Sequence, residues 1–423
     1  MPAVPAVPAV PAVPAVPAVP YSVAAQTTDR GDILTTTEEA AAPHAAEIHG
    51  TCDDRFVGLR DLLAGSLAAG TDVGASVAVT VAGELVVDIW GGWADEGRTR
   101  PWERDTITNV WSTTKTMTAL CALMLVDAGE IDLDAPVSRY WPEFAAGGKD
   151  DRVLVRHIMG HTAGLPGWSA PMTIEDLYDW EKATSLLAAQ EPWWEPGTAS
   201  GYHAVTQGYL VGEVVRRVTG QSLGAFFRER VSGPLGADFH IGLDPAEFGR
   251  VSNVIPPPPF DPTMEISEFA MRTLTNPMLS AEASWTEPWR QAEIPAANGH
   301  GNARSVATVQ AAVANGGEVG GVRLLSAAGC ERILLEQAHG PDLVLGVPLR
   351  LGVGYGLPST ELPISSHDRA CYWGGWGGSV IVMDFEAEMS VAYMMNKMGA
   401  ELVGDERGIG LVLAAQAAMS GAG

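Results

Sequence analysis

Lysine is almost missing from this chain. Its 26 basic residues include only four lysines, Lys115, Lys149, Lys182 and Lys397, and every other one is arginine. A guanidinium keeps its proton at any usable pH, so arginine cannot act as a base. Few side chains are left to supply an amine for proton transfer. Positive charge is scarce altogether: 26 basic residues face 51 acidic ones, a formal charge of −25. That balance argues against nucleic acid and anionic membrane surfaces as partners. The four cysteines (Cys52, Cys121, Cys330 and Cys371) are widely scattered and form neither a disulfide framework nor a zinc spacing. No stretch is long and apolar enough to span a membrane, and the apolar start lacks the basic head and unbroken core of a signal peptide. A cytoplasmic location is the expectation.

Residues 2–19 are six Pro-Ala-Val repeats. Proline at every third position forbids a helix and favours an extended arm without a core. We expect a disordered arm over residues 1–45 and a catalytic domain over 46–423. A chain of 423 residues can divide its core between two lobes.

One of the few lysines stands three residues after a serine, in Ser112-Thr113-Thr114-Lys115. On a helix that spacing places both side chains on one face, one turn apart. An amine then lies within reach of a hydroxyl, as activation of a nucleophile requires. The run Met117–Val126 is apolar on every face except at Thr118, which marks a buried helix. Asp127 and Gly129 end it. Ser112 therefore sits at the N-terminal mouth of a central helix, where free N–H groups and the helix dipole favour a developing anion. Just inside, a buried Lys115 must be paired or give up its proton.

Along the chain, 55–69 reads as an amphipathic helix, and 75–81 with 85–90 as a hairpin turning at Ala82-Gly83-Glu84. From 111 to about 345 helical patterns dominate, broken by Pro/Gly loops. Strand signals return at 351–357, 379–384 and 390–395, and 408–419 is a closing helix. Strands at both ends around a helical middle imply an α+β fold. One antiparallel sheet, from 46–110 and about 346–423, is flanked by helices and carries a mainly helical lobe over about 111–345.

Further constellations follow the serine and lysine. Trp194-Glu195-Pro196-Gly197 leads through a short loop to Tyr202-His203-Ala204, and Cys371-Tyr372-Trp373-Gly374-Gly375-Trp376-Gly377-Gly378-Ser379 is a Gly-rich segment running into a strand. Glycines there let the backbone approach a ligand.

In this order the motifs resemble those of the class C β-lactamase-like serine hydrolases, and most of all the family VIII carboxylesterases. The resemblance covers about residues 46–420. It extends to Asp88-Ile89-Trp90-Gly91-Gly92, His161-Thr162-Ala163-Gly164-Leu165, Asn298-Gly299-His300-Gly301, Gly352-Val353-Gly354-Tyr355-Gly356 and Met394-Met395-Asn396-Lys397-Met398. It implies a β-lactamase/transpeptidase-like fold. The family's nucleophile falls on Ser112, its helix lysine on Lys115 and its tyrosine on Tyr202. The N–H groups of Ser112 and Trp376 fall where the family forms its oxyanion hole. Trp373, Gly374, Gly375, Trp376, Trp111 and His203 are the expected substrate-binding residues, although the tryptophans could equally be core and His203 a polar loop residue. No metal or cofactor is needed.

Two departures bear on substrate. The β-lactamase pattern Tyr-x-Asn reads Tyr202-His203-Ala204, without the asparagine that helps hold a lactam side chain. Where a Lys-Thr-Gly or His-x-Gly would stand, the chain has Trp373-Gly374-Gly375, as family VIII esterases do. An uncharged ester is the better candidate for such a site.

Single features admit other readings. Gly220-Gln221-Ser222-Leu223-Gly224 matches the nucleophile elbow of α/β-hydrolases, which must follow a strand. Here 211–218 looks helical, with Gly220 as its C-cap and Ser222 capping the next helix. His157 and His161 have the spacing of a metal pair but lack the glutamate of His-Glu-x-x-His, and loop packing suits them better. The expected activity is cleavage of small carboxylic esters through an acyl-enzyme. An acyltransferase, a β-lactamase or D-peptidase, and a non-catalytic ligand-binding relative are the alternatives.

Overall fold

The computed structural model describes residues 47–259 and 266–421. The Pro-Ala-Val repeats and the arm boundary near residue 45 lie outside them.

Six strands form one antiparallel sheet: β1 (Ile48–Cys52), β2 (Gly74–Val81), β3 (Glu84–Gly92), β4 (Ala370–Gly374), β5 (Val380–Asp384) and β6 (Met389–Met395). Their order is β1-β3-β2-β6-β5-β4. β2 and β3 make the expected hairpin. The first and last thirds of the chain meet where β2 pairs with β6, with Ala75 opposite Met395 and Val81 opposite Met389.

Side chains alternate between the faces of a strand, and polar contacts show what covers each face. On one face the Thr80 and Ser390 hydroxyls lie 2.6 Å apart, and Ser390 donates to the carbonyl of Ala307. Ala307 belongs to α4 (Ala303–Ala314). On the other face Tyr393 donates to Asp72, which also pairs with Arg407 of the closing helix α5 (Glu406–Met419). α1 (Val57–Ala69) packs beside α5. A sheet covered on both faces has no wet side, which is why every residue of β6 is buried.

The serine and lysine lie on α2 (Thr114–Asp127) and the 3₁₀ turn Trp111–Thr113 before it. Beyond its first turn this helix is lined almost wholly by Met, Ala, Leu, Cys and Val, and α4 separates it from the sheet. Gln310 of α4 reaches the Met117 sulfur, and Tyr355 bonds both Gln310 and the Thr116 carbonyl. α3 (Thr206–Thr219) packs along its other side. As expected, Gly220 ends α3 in the left-handed region (φ 72°), and the Ser222 hydroxyl caps the following helix by accepting from Ala225 N–H.

Two strand expectations need correcting. Residues 351–357 form no continuous strand. Leu351 ends a small ribbon, Pro348–Leu351 against Ala338–Pro341, the chain turns through Gly352 and Gly354, and Gly356 alone exchanges a pair of backbone hydrogen bonds with Tyr372 of β4. The strand missing from the sequence reading is β4, within the Gly-rich segment. β1, at the sheet edge, was also not foreseen; its three middle residues are exposed.

Asn396 ties the two ends of the chain together. Its amide oxygen accepts from Gly74 N–H, and its NH₂ donates to Trp93 O and Ser252 Oγ. Removing it strands buried polar groups at about 1–3 kcal/mol each. Asn396→Ala should lower unfolding free energy by at least about 2 kcal/mol, measured as a fall in the urea midpoint at unchanged slope.

Candidate active site

The site begins with an unusual backbone. Trp111 has a φ of +48°, left-handed for a bulky residue, a conformation that persists only when its surroundings impose it. Ser379 Oγ donates to Val110 O and lies 3.0 Å from the Thr113 hydroxyl. From the opposite side Val110 N–H donates to Gly299 O, and Gly299 N–H donates to the Thr114 hydroxyl. The turn carrying Ser112 is thus held between the start of β5 and the Asn298–Gly301 segment.

Three side chains meet there. Lys115 Nζ lies 2.9 Å from Ser112 Oγ and 3.1 Å from the Tyr202 hydroxyl, and the two hydroxyls are 2.5 Å apart. Lys115 is fully buried. Its amine also donates to Ala204 O at 2.7 Å and Ala296 O at 3.0 Å. A carbonyl can only accept, so two N–H bonds are fixed and one corner of the nitrogen faces the hydroxyls. Among the described residues no carboxylate pairs with this amine, and burial drives its pKa well below the ordinary lysine value. Burial pushes the Tyr202 phenol the other way, against a smaller lowering by its bond to Ser112, so it stays protonated.

Gly375 passes close to the Ser112 turn. A methyl group on its Cα would lie 2.4 Å from Val110 O and 3.3 Å from Ser112 N, so only glycine lets this segment reach the turn. Among the described residues, no acceptor engages the backbone N–H of Ser112 or Trp376. Trp111 packs against Trp376, with centroids 4.9 Å apart, and against Trp289 at 5.6 Å. Trp373 stacks on His161 and tilts against Tyr202.

The expected substrate-binding set divides. Trp373, Gly375, Trp376 and Trp111 lie around Ser112, Lys115 and Tyr202. Gly374 faces away, because a side chain there would strike the backbone of Val403 and Gly404. His203 is no substrate contact either. It is fully buried, Nδ1 bonds Gly201 O at 2.6 Å, and Nε2 accepts from Leu165 N–H. Burial lowers its pKa to about 3, so it stays neutral.

The rival motifs are engaged elsewhere. Ser222 lines a cavity of about 340 Å³ with Tyr178, Trp180, Glu181, Arg216 and Glu293, and its hydroxyl donates to Glu293 at 2.6 Å. No histidine lines that cavity. His157 Nδ1 accepts from Leu154 N–H and His161 Nδ1 from His203 N–H. Among the described residues, no group of three or more His, Cys, Asp or Glu could hold a metal ion, and no helix is long and apolar enough to cross a membrane.

Asp342 was missed by sequence reasoning. Its Oδ1 accepts from the N–H groups of Tyr202, Val344 and Leu345. Its partners are backbone groups, which leave no trace in a motif.

Comparison with known proteins agrees with this architecture. The chain is 36% identical to the esterase/beta-lactamase LipL of Mycobacterium tuberculosis over 374 residues, 84% of each chain. A family VIII carboxylesterase superposes with a TM-score of 0.83 at 43% identity, covering 88% of this chain and all of that one. A penicillin-binding protein homologue from Caulobacter crescentus gives the same TM-score and coverage at 38% identity. The beta-lactamase family pattern matches residues 59–415, and the chain belongs to the beta-lactamase family.

Proposed function

We propose that this protein is a carboxylesterase-like serine hydrolase, cleaving small uncharged esters through an acyl-enzyme on Ser112. The observation that carries the reading is the closed triangle of Ser112 Oγ, Lys115 Nζ and Tyr202 Oη, with two carbonyls placed to hold the two hydrogens of a neutral amine. In that arrangement a neutral Lys115 aims its lone pair at the hydroxyls. Tyr202, kept a phenol, can pass a proton but is a poor base. Lys115 is therefore the base and Tyr202 the relay.

Ser112 Oγ bonds to the ester carbonyl carbon while its proton passes to Lys115, directly or through Tyr202. The carbonyl electron pair moves onto oxygen, which the N–H groups of Ser112 and Trp376 stabilise. Collapse expels the alkoxide, which takes the proton back. Water then attacks the acyl carbon and gives its proton to the same amine; the C–Oγ bond breaks, the acid leaves, and the amine returns the proton to Ser112 Oγ. The esterase named among the relatives and the family VIII carboxylesterase support ester substrates. Trp373 supports them too, since an indole carries no charge to recognise a β-lactam carboxylate.

Ser112→Ala should abolish hydrolysis of p-nitrophenyl butyrate and the acyl adduct seen by intact-protein mass. Ser222→Ala should lose only a helix cap, about 1 kcal/mol of stability, and keep its activity. The reverse result would move the chemistry to Ser222.

Lys115→Arg should lower kcat at least about 10²-fold, because arginine cannot release a proton. The thermal midpoint must show that the variant is folded; a folded variant with wild-type kcat would remove Lys115 from the mechanism. Since a base works above its pKa, kcat/KM of the native enzyme should reach its plateau well below pH 10.5, the ordinary lysine value.

Nitrocefin should be a poorer substrate than the best simple ester. A kcat/KM for nitrocefin equal to or above the ester's would replace this reading with a β-lactamase.

A further inference from the structure

Tyr202 lies on a loop, yet its hydroxyl must stay within hydrogen-bond distance of two partners. Its own backbone shows how the loop is held. Three consecutive N–H groups around it are all engaged: Gly201 N–H donates to His161 O at 3.0 Å, Tyr202 N–H to Asp342 Oδ1 at 3.0 Å, and His203 N–H to His161 Nδ1 at 3.1 Å. His161 thus grips both residues flanking Tyr202, one with its carbonyl and one with its ring.

This grip depends on several features of His161. Its φ of +59° is left-handed, unusual outside glycine and costly unless the surroundings hold it. In the fold that twist accompanies a carbonyl and a ring bonded to the same short loop. The ring stacks on Trp373 with centroids 5.1 Å apart and planes 18° from parallel, and it lies 5.4 Å from the Tyr202 ring. Nδ1 can accept only while it carries no proton. Burial holds the His161 pKa well below that of an ordinary histidine. The acceptor form is then the resting form.

We infer that His161 is a positioning residue for ester cleavage: its ring nitrogen and carbonyl fix the backbone on either side of Tyr202, holding the phenol against Ser112 and Lys115. The inference rests on the reading of Ser112, Lys115 and Tyr202 as the reacting groups. It gives the ring a task distinct from packing, because Nδ1 reaches a backbone N–H rather than solvent or substrate.

The two amides His161→Asn and His161→Gln separate these roles. Both lose the ring stacked on Trp373. Asparagine places an oxygen where Nδ1 stood and tolerates the left-handed backbone; glutamine carries its oxygen one carbon further out. His161→Asn should keep kcat for p-nitrophenyl butyrate within about threefold of the native enzyme. His161→Gln should lose at least about tenfold in kcat, with KM within about twofold in both, since a displaced Tyr202 slows proton transfer rather than binding.

Equal kcat in the two variants, or a loss confined to KM, would overturn the inference. So would failure of either variant to fold, because a positioning role requires a folded, slow enzyme. Ser112→Ala measured alongside separates the two levels of the argument. An active Ser112→Ala enzyme would defeat the functional reading itself, whereas an inactive one with equal histidine variants would defeat only the role of His161.

Discussion

A fully buried amine, with no carboxylate beside it among the described residues, is the constraint around which this structure is arranged. Charge in an apolar interior is expensive unless it is paired or removed. The chain contains its own comparison. Lys149 is equally buried, but its amine has carbonyls on three sides, Ala146 O at 2.6 Å, Ala188 O at 2.9 Å and Gln190 O, and lies 4.9 Å from the centroid of the Phe144 ring. All three hydrogens of an ammonium are satisfied there, and burial, opposed by the nearby Glu191 carboxylate, lowers its pKa only to about 8, so it remains a cation at neutral pH. At Lys115 two carbonyls take two hydrogens and two hydroxyls occupy the last corner. A third carbonyl and the nearby Glu191 carboxylate favour the charged form at Lys149, and among the described residues Lys115 has neither.

The surroundings of Lys115 follow from that need. α2 must be buried to exclude water, so it is apolar on all sides and lies beneath α3 and α4. The Ser112 turn must not drift, so strands and loops from distant parts of the sequence hold Val110, Thr113 and Thr114. Most of these restraints end on backbone N–H or C=O groups. Such groups come with every residue, but only a particular fold brings them together.

That distinction decides what could be read from the sequence. The buried helix was legible because Met117–Val126 has no polar face, and Ser112 and Lys115 because their spacing has a chemical meaning. Gly220 and Ser222 declared a helix end and a helix start, which disposed of the competing elbow. The β4 strand was not legible: Cys371-Tyr372-Trp373-Gly374 is buried throughout and shows no alternation. Residues 351–357 misled in the opposite direction, with β-forming side chains interrupted by glycines. Adjacency to Tyr202 nominated His203 as a substrate contact, but its ring is enclosed by backbone partners. His161, 41 positions upstream of Tyr202, is the histidine whose ring grips the tyrosine loop, and no spacing rule connects them.

The sheet has a consequence for the order in which the molecule is completed. Ser112 and Lys115 lie in the first third of the chain, while β6, which pairs with β2, and Ser379, which anchors the Ser112 turn, come from its last fifth. Contacts so distant in sequence form late and slow the search for the native state. During synthesis Ser112 therefore leaves the ribosome long before the strands that shape its surroundings. A chain interrupted between Lys115 and β5 carries Ser112 and Lys115 but lacks Ser379 and the strands that hold their turn. On the proposed reading, the three reacting groups come to hand in synthesis well before the segment that fixes the turn between them.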